Sequence, residues 1–450
     1  DFSGFIIIGF FLLVIGFVQS WSVSLTILNM CLISAIMAMG ANIQWGYAGL
    51  VNFGIMGFTA LGGLAAVLVS YSPVREAWSV GGINIIISLL IVILIIFIIR
   101  FVLKFIKKNL TKYLIILGVL ISGLLIINIF YRPAVIAIED VNPATTGFLG
   151  GMGLPIIFSW IVAGFLAAGV AFVIGKITLG LRSDYLAIAT LGISEIIIAV
   201  LKHEDWLTRG VKNVIGLKRP VPYEINLQKS DWFISLVSKL HSTKIEAIEI
   251  VEDKQTLINQ LVIDGSSIFV KLCYMFLFLS VLLIIFYFCN KALNSPWGRM
   301  MRAIRDNEIS AKAMGKNVVK RHLQVFILGS AVVGIAGAML TTNDGLFTPG
   351  SYQPLRFTFV IWVMVIVGGS GNNLGSILGG FVIWFIWVEA APLAQYIIEL
   401  STKSLDSNNN FRVHLLNSAP YFRYFIMGTT LLLIMRFRPK GILPEKTRYV

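Results

Sequence analysis

The sequence predicts an all-α membrane protein: a polytopic bundle of about 10–12 transmembrane helices with a small external cap. Three observations predict it. Hydrophobic residues make up 57% of the 450 and charged residues only 13%, with a mean hydropathy of +0.86. A soluble domain has no use for so much apolar surface. Apolar runs near the length of a bilayer-spanning helix recur along the chain. These runs lack the short alternating segments of an outer-membrane barrel, and backbone in hydrocarbon must satisfy its own polar groups, so they are helices.

The candidate spans cover 4–19, 22–42, 48–70, 84–103, 113–130, 155–175, 184–201, 268–289, 323–342, 356–369, 374–396 and 419–436. The third is glycine-rich and open to a break or re-entry, and the tenth is short. Asp1 is not an initiator Met, so trimming of the start is expected. The first run is read as a span, not a signal sequence, because many others follow.

Basic residues orient the bundle. Lys104, Lys107, Lys108 and Lys112, then Lys176 and Arg182, then the segment 296–322, then Arg436, Arg438, Lys440, Lys446 and Arg448 all fall on one side if twelve spans cross. That side is expected to be the cytoplasm, with both termini on it. The net charge of +14 is explained the same way, and no nucleic-acid partner is expected. The opposite side receives 202–267, with nine Lys/Arg and nine Asp/Glu. Pro220 and Pro222 break it early. Ser230 is placed to cap a helix over 231–240. Residues 245–251 partly alternate as a strand would, and 253–261 suit another short helix. The chain thus divides into an N-terminal membrane half (1–201), an external cap (202–267) and a C-terminal membrane half (268–450).

No catalytic motif is present: no nucleophile elbow, HExxH, paired carboxylates or Walker A sequence. Any energy input must come from a partner or an ion gradient. Cys31, Cys273 and Cys289 lie in apolar runs and read as small hydrophobes, and the four histidines lack metal-ligand spacing. Two glycine-rich stretches, 46–57 and 368–380, stand beside Asn42, Gln44, Asn52, Asn372 and Asn373. They allow either close helix packing or backbone that leaves helical geometry beside a cavity. Intramembrane ionisable groups are few. Glu195 is the best placed, as an ion-coupling acid, a structural hydrogen-bonding group or the wall of a polar path. Glu389 and Arg423 lie nearer span ends.

The long charged segment 296–322 carries seven Lys/Arg and two Asp/Glu. Glu308 and Lys312 are spaced for a helical ion pair, as are Arg302 and Asp306. Met301, Ile304, Ala311 and Met314 form an apolar stripe, and Gly315 is a natural stop. The segment suits a surface helix on anionic lipid or a docking helix for a cytoplasmic subunit. Small alanines and the glycine, with scarce aromatic anchors, favour docking.

Residues 298–308 (GRMMRAIRDNE), followed by Ala311, Ala313, Met314 and Gly315, resemble the cytoplasmic loop of LivM-type permeases, the membrane subunits of bacterial ABC importers for branched-chain amino acids. The resemblance extends to 42–57 (NIQWGYAGLVNFGIMG), 183–197 (SDYLAIATLGISEII), 367–371 with Gly375, and 437–443 (FRPKGIL), in the family's order. It implies a multi-pass protein of the bacterial inner membrane working by alternating access. The implied partners are a homologous second permease, two ATP-binding subunits and a periplasmic binding protein. The chain itself would bind no cofactor or metal, and the partner subunits would use the ATP. By resemblance Arg302, Arg305, Asp306, Glu308, Ala311, Ala313 and Gly315 form the surface that couples to the ATPase. Asn52, Gly54, Glu195, Gly368, Gly369 and Gly371 line or shape the path. Residues 82–154 depart from the family with two extra spans, 202–267 is longer than usual, and 208–216 keeps a family glycine pattern only loosely. A branched-chain amino acid is the expected substrate. Urea or a short-chain amide, or an ion-coupled carrier, are the alternatives.

Overall fold

A computed structural model describes residues 3–106, 109–246, 251–403, 406 and 409–445. Each of the twelve expected spans coincides with a helix. In order these are α1 (Ser3–Val18), α2 (Trp21–Ala48), α3 (Ile55–Ser70), α4 (Arg75–Phe105), α5 (Asn109–Glu139), α6 (Ile157–Thr178) and α7 (Ser183–His203). After the cap helix α8 (Asp231–Leu240) come α9 (Val251–Asn294), the charged pair α10 (Pro296–Asp306) and α11 (Glu308–Ala313), then α12 (Val318–Asp344), α13 (Pro354–Gly368), α14 (Asn373–Ser401) and α15 (Phe422–Phe437). Among the described residues eight helices are long and apolar enough to cross a membrane, and α1, α3 and α13 are shorter apolar helices. The chain is therefore an all-α polytopic membrane protein. Lys107, Lys108, Lys446 and Arg448 lie outside the described residues.

The bundle is built around α2. Ser20 opens this helix by accepting from the Val23 amide (3.1 Å), and Gly49 closes it at φ +70°. Almost every side chain from Cys31 to Ala48 is buried, against α9, α12, α13 and α14. Apolar helices gain nothing by leaving hydrocarbon for one another, so their association depends on close packing. Small residues provide it: a Cβ on Gly62 of α3 would sit 2.0 Å from the Gly334 carbonyl of α12.

The cap differs from the sequence reading in three places. The helix over 231–240 is present, but the Ser230 hydroxyl donates to Leu227 O (2.7 Å) and makes no side-chain cap. Ile245 belongs to a short helix, Ser242–Glu246, and Val251 begins α9, so no strand runs through the described part of 245–251; residues 247–250 lie outside it. The expected helix over 253–261 is the start of α9. That helix has 44 residues, about 66 Å at 1.5 Å per residue, roughly twice the hydrocarbon thickness. Phe233 and Val237 of α8 pack beside Gly265 of α9. A two-residue antiparallel ribbon, β1 (Val214–Ile215) with β2 (Leu346–Phe347), ties the cap to the loop after α12.

Helices α4 and α5 stand where the two additional spans are expected and form a hairpin whose apolar side chains are mostly exposed. It attaches near the cap, through Ala77, Ile85, Ala134, Ile138 and Leu149. There Tyr131 Oη donates to Glu204, and Trp206 Nε1 donates to the same carboxylate (2.7 Å).

Candidate functional site

The charged segment is two helices, not one. Ser295 Oγ accepts from the Gly298 amide, and Pro296 takes the first turn of α10. Met301 and Ile304 are buried and hold α10 flat on the bundle. At Asn307 the backbone turns extended, and its side chain accepts from the Ser310 amide (2.9 Å) to start α11. No residue of α11 is buried; Ile309 is 81% and the following Met314 78% exposed. The expected apolar stripe is thus divided, with Met301 and Ile304 anchoring and Met314 presented outward. Lys312 pairs with Glu308 at 2.7 Å as expected. Arg302 and Asp306 do not pair, because Arg302 turns toward Glu445 and donates to Leu293 O (3.4 Å). Asp306 instead accepts from Arg305 Nε (3.2 Å). Gly315 stops α11 at φ +76° with open space around it.

Arg302 and Arg305 turn inward onto Glu445, at 3.7 and 2.9 Å. Arg305 also donates to the Gly46 carbonyl near the end of α2. Glu445 is brought there by the tail after α15, whose Ile442 and Leu443 amides donate to Val367 O and Gly368 O (both 2.9 Å). This needs glycine. A Cβ on Gly369 (φ +116°) would lie 2.3 Å from Leu443 O, and one on Gly371 (φ +82°) 2.7 Å from Glu445 Oε2. Asn42 accepts from the Gly371 amide (2.8 Å) and donates to Asn373 Oδ1 (3.3 Å). Tyr47 Oη donates to the same oxygen, and Asn373 donates to Asn290 (2.6 Å). Four stretches far apart in sequence therefore meet beneath α10. Glu445 and Asn290 carry no local signal. Asn372 and Asn373 did, as amides beside glycines.

The glycine stretch 46–57 breaks the third span. Residues 49–54 are not helical, and α3 begins only at Ile55. Asn52 accepts from the Gly54 amide (2.7 Å) and donates to Gln44 Oε1 (2.9 Å). Gln44 in turn donates to Phe326 O (3.1 Å) and Ser330 Oγ (3.0 Å). Thr190 accepts from the Phe53 amide, and Trp362 Nε1 donates to Asn52 O (3.1 Å). The freed backbone groups are thus met inside the protein, as hydrocarbon demands. Asn52 is only 1% exposed, and a Cβ on Gly54 would meet Thr190 O at 2.7 Å. Both shape the interior without facing an opening. Gly368 packs on the Gly375 carbonyl.

Two cavities lie toward the cap. A flank cleft of 760 Å³ between α7, α13, α14 and α15 is lined by Glu195, Lys202, Arg356 and Trp387. Glu195 is exposed there, apart from Asn52 and the glycines. The Arg356 guanidinium stacks over Phe357, Trp387 and Tyr424, 5.1–5.3 Å from each ring centre. An inner chamber of 190 Å³ lies between α2, α12, α13 and α14, lined mainly by methionines and aliphatic residues. Among the described residues no group of His, Cys, Asp and Glu is placed to hold a metal ion.

Residues 23–435 match the family model described as "Branched-chain amino acid transport system / permease component". The chain is similar to the high-affinity branched-chain amino acid transport system permease protein LivM of Escherichia coli (strain K12), at 26% identity over 290 residues, 63% of this chain and 56% of that protein. It is 28% identical over 168 residues to the probable branched-chain amino acid transport permease protein LivM of Methanocaldococcus jannaschii, covering 37% of this chain and 45% of that protein. A stretch of 111 residues is 30% identical to the xylose transport system permease protein XylH of Haemophilus influenzae, 24% of this chain and 29% of that protein. The chain spans about half the length of the LivM relatives it matches. No solved structure matches it. With the family match running through nearly all of the helical bundle, from α2 to α15, the chain belongs to the permease components of branched-chain amino acid transport systems.

Proposed function

We propose that this chain is a membrane subunit of an ATP-driven importer that carries branched-chain amino acids inward across a bacterial inner membrane. The observation that carries the reading is the two-part charged segment. Helix α10 is locked to α2, α9 and the C-terminal tail, while α11 presents Ile309 and Met314 to whatever lies outside the bundle. A chain without a nucleotide motif that builds a rigid lever with an exposed apolar tip is suited to receive work from a partner. The basic residues at that end favour a cytoplasmic placement, with both termini on the same side. In this reading two ATP-binding subunits grip α11. Arg302, Arg305 and Glu445 carry the motion into the α13–α14 turn and the end of α2, and the helices rock between outward and inward openings. A homologous second permease and a secreted binding protein complete the assembly, the latter docking at the cap.

Uptake into vesicles containing the assembled importer tests this. ATP-dependent accumulation of leucine, isoleucine or valine is expected, in preference to urea, short-chain amides and xylose. Uptake by this chain alone, driven by a proton or sodium gradient, would overturn the reading.

A further inference from the structure

We propose that the inner chamber between α2, α12, α13 and α14 is a binding site for an α-amino acid with an apolar side chain, opening at the cap end. The inference rests on the permease reading and names where its cargo sits. Met30 and Met37 of α2, Met56 of α3 and Met364 of α13 all line the 190 Å³ chamber. Thioether side chains are unbranched and polarisable, so they adapt to leucine, isoleucine and valine shapes that a rigid wall would separate. A hydrocarbon-lined hole alone would accept any apolar guest, including an acyl chain. Two polar features argue for a zwitterion.

The first is Asp344, the last residue of α12, exposed at the chamber's mouth. Its carboxylate accepts from Asn343 Nδ2 (3.2 Å), and among the described residues no Lys, Arg or His forms an ion pair with it. It stands at a helix C-terminus, where the backbone dipole also favours a cation. An ammonium group suits this position. The second is Trp384 of α14, which lines the chamber and whose buried Nε1–H has no hydrogen-bond partner among the described residues. An orphaned buried donor is unusual; an acceptor oxygen on a guest would satisfy it. Ammonium-seeking carboxylate, orphaned donor and adaptable apolar wall match the three parts of a branched-chain amino acid.

Equilibrium binding of radiolabelled L-leucine to the full chain in lipid nanodiscs tests the site. Isoleucine and valine should compete. Glycine, which lacks the side chain, and 4-methylpentanoate, which lacks the ammonium, should compete at least 10-fold more weakly. Asp344→Asn should weaken leucine about 10-fold and leave 4-methylpentanoate unchanged. Trp384→Phe should weaken both ligands. Ser34→Leu and Met364→Trp fill the chamber from opposite walls, and whichever keeps the parental elution profile should lose binding. Absence of leucine binding by the parental chain, or binding indifferent to Asp344→Asn, overturns the site. So does ATP-driven leucine uptake by the assembled importer that survives a chamber-filling variant, and that outcome leaves the permease reading intact. Failure of the assembled importer to take up any branched-chain amino acid overturns the permease reading instead.

Discussion

Glu445 faces two guanidiniums, with side-chain exposure of 16% against 30% for Arg302 and 24% for Arg305. A pair this sheltered behaves differently from a surface ion pair. Removing the carboxylate leaves two cations close together beneath α10, a cost of about 1–3 kcal/mol once residual solvent is allowed for. Glu445→Ala should therefore lower the thermal midpoint in detergent and reduce the gain in partner ATPase rate caused by substrate. Arg305→Ala should do the same, and the double variant should lose little more than either single one. Additive losses in that cycle would mean the residues act separately. Asp306, expected to pair with Arg302, is satisfied by its neighbour Arg305. The spacing argument failed there because Arg302 is drawn to Glu445, a carboxylate far away in sequence.

At the scale of elements, the charged segment works as anchor and tip. The tip is stabilised locally, by the Glu308–Lys312 pair and the Asn307 cap, and ends at Gly315 in left-handed geometry. Gly315→Trp should leave the bundle folded, because nothing lies within 4 Å of an added Cβ. It should abolish substrate-stimulated ATPase activity, through a strained turn and a bulky ring at the docking face. Gly315→Asn, which tolerates positive φ, should retain most of it. Normal coupling in the Trp variant would remove α11 from the docking surface. The α2–α3 break shows the opposite economy. It is held by Gln44 of α2, Thr190 of α7 and Trp362 of α13, so its local sequence alone does not set its shape.

For the whole molecule, the α4–α5 hairpin is an attachment to the bundle. Its contacts with the remainder cluster near the cap. Replacing 83–138 with a short linker should leave a monodisperse bundle with an unchanged α10–α11 surface, read by size-exclusion chromatography and ATPase-subunit pull-down. Loss of the folded bundle would give the hairpin a structural role that its exposure does not suggest. The sequence by itself determined that helices stand at the twelve expected places and that Gly315 stops α11, because these follow from hydrocarbon solvation and backbone sterics, both local to a short stretch. Tertiary structure alone decided that Arg302 and Arg305 meet Glu445, that Asn42 reaches Gly371, and that Met364 and Asp344 share a chamber with Met30. The separate helix expected over 253–261 belongs to the same lesson, since it is the start of a continuous α9. Such pairings join residues up to hundreds of positions apart. They depend on how closely helices approach, and that is settled by small residues on several helices at once rather than by any one segment.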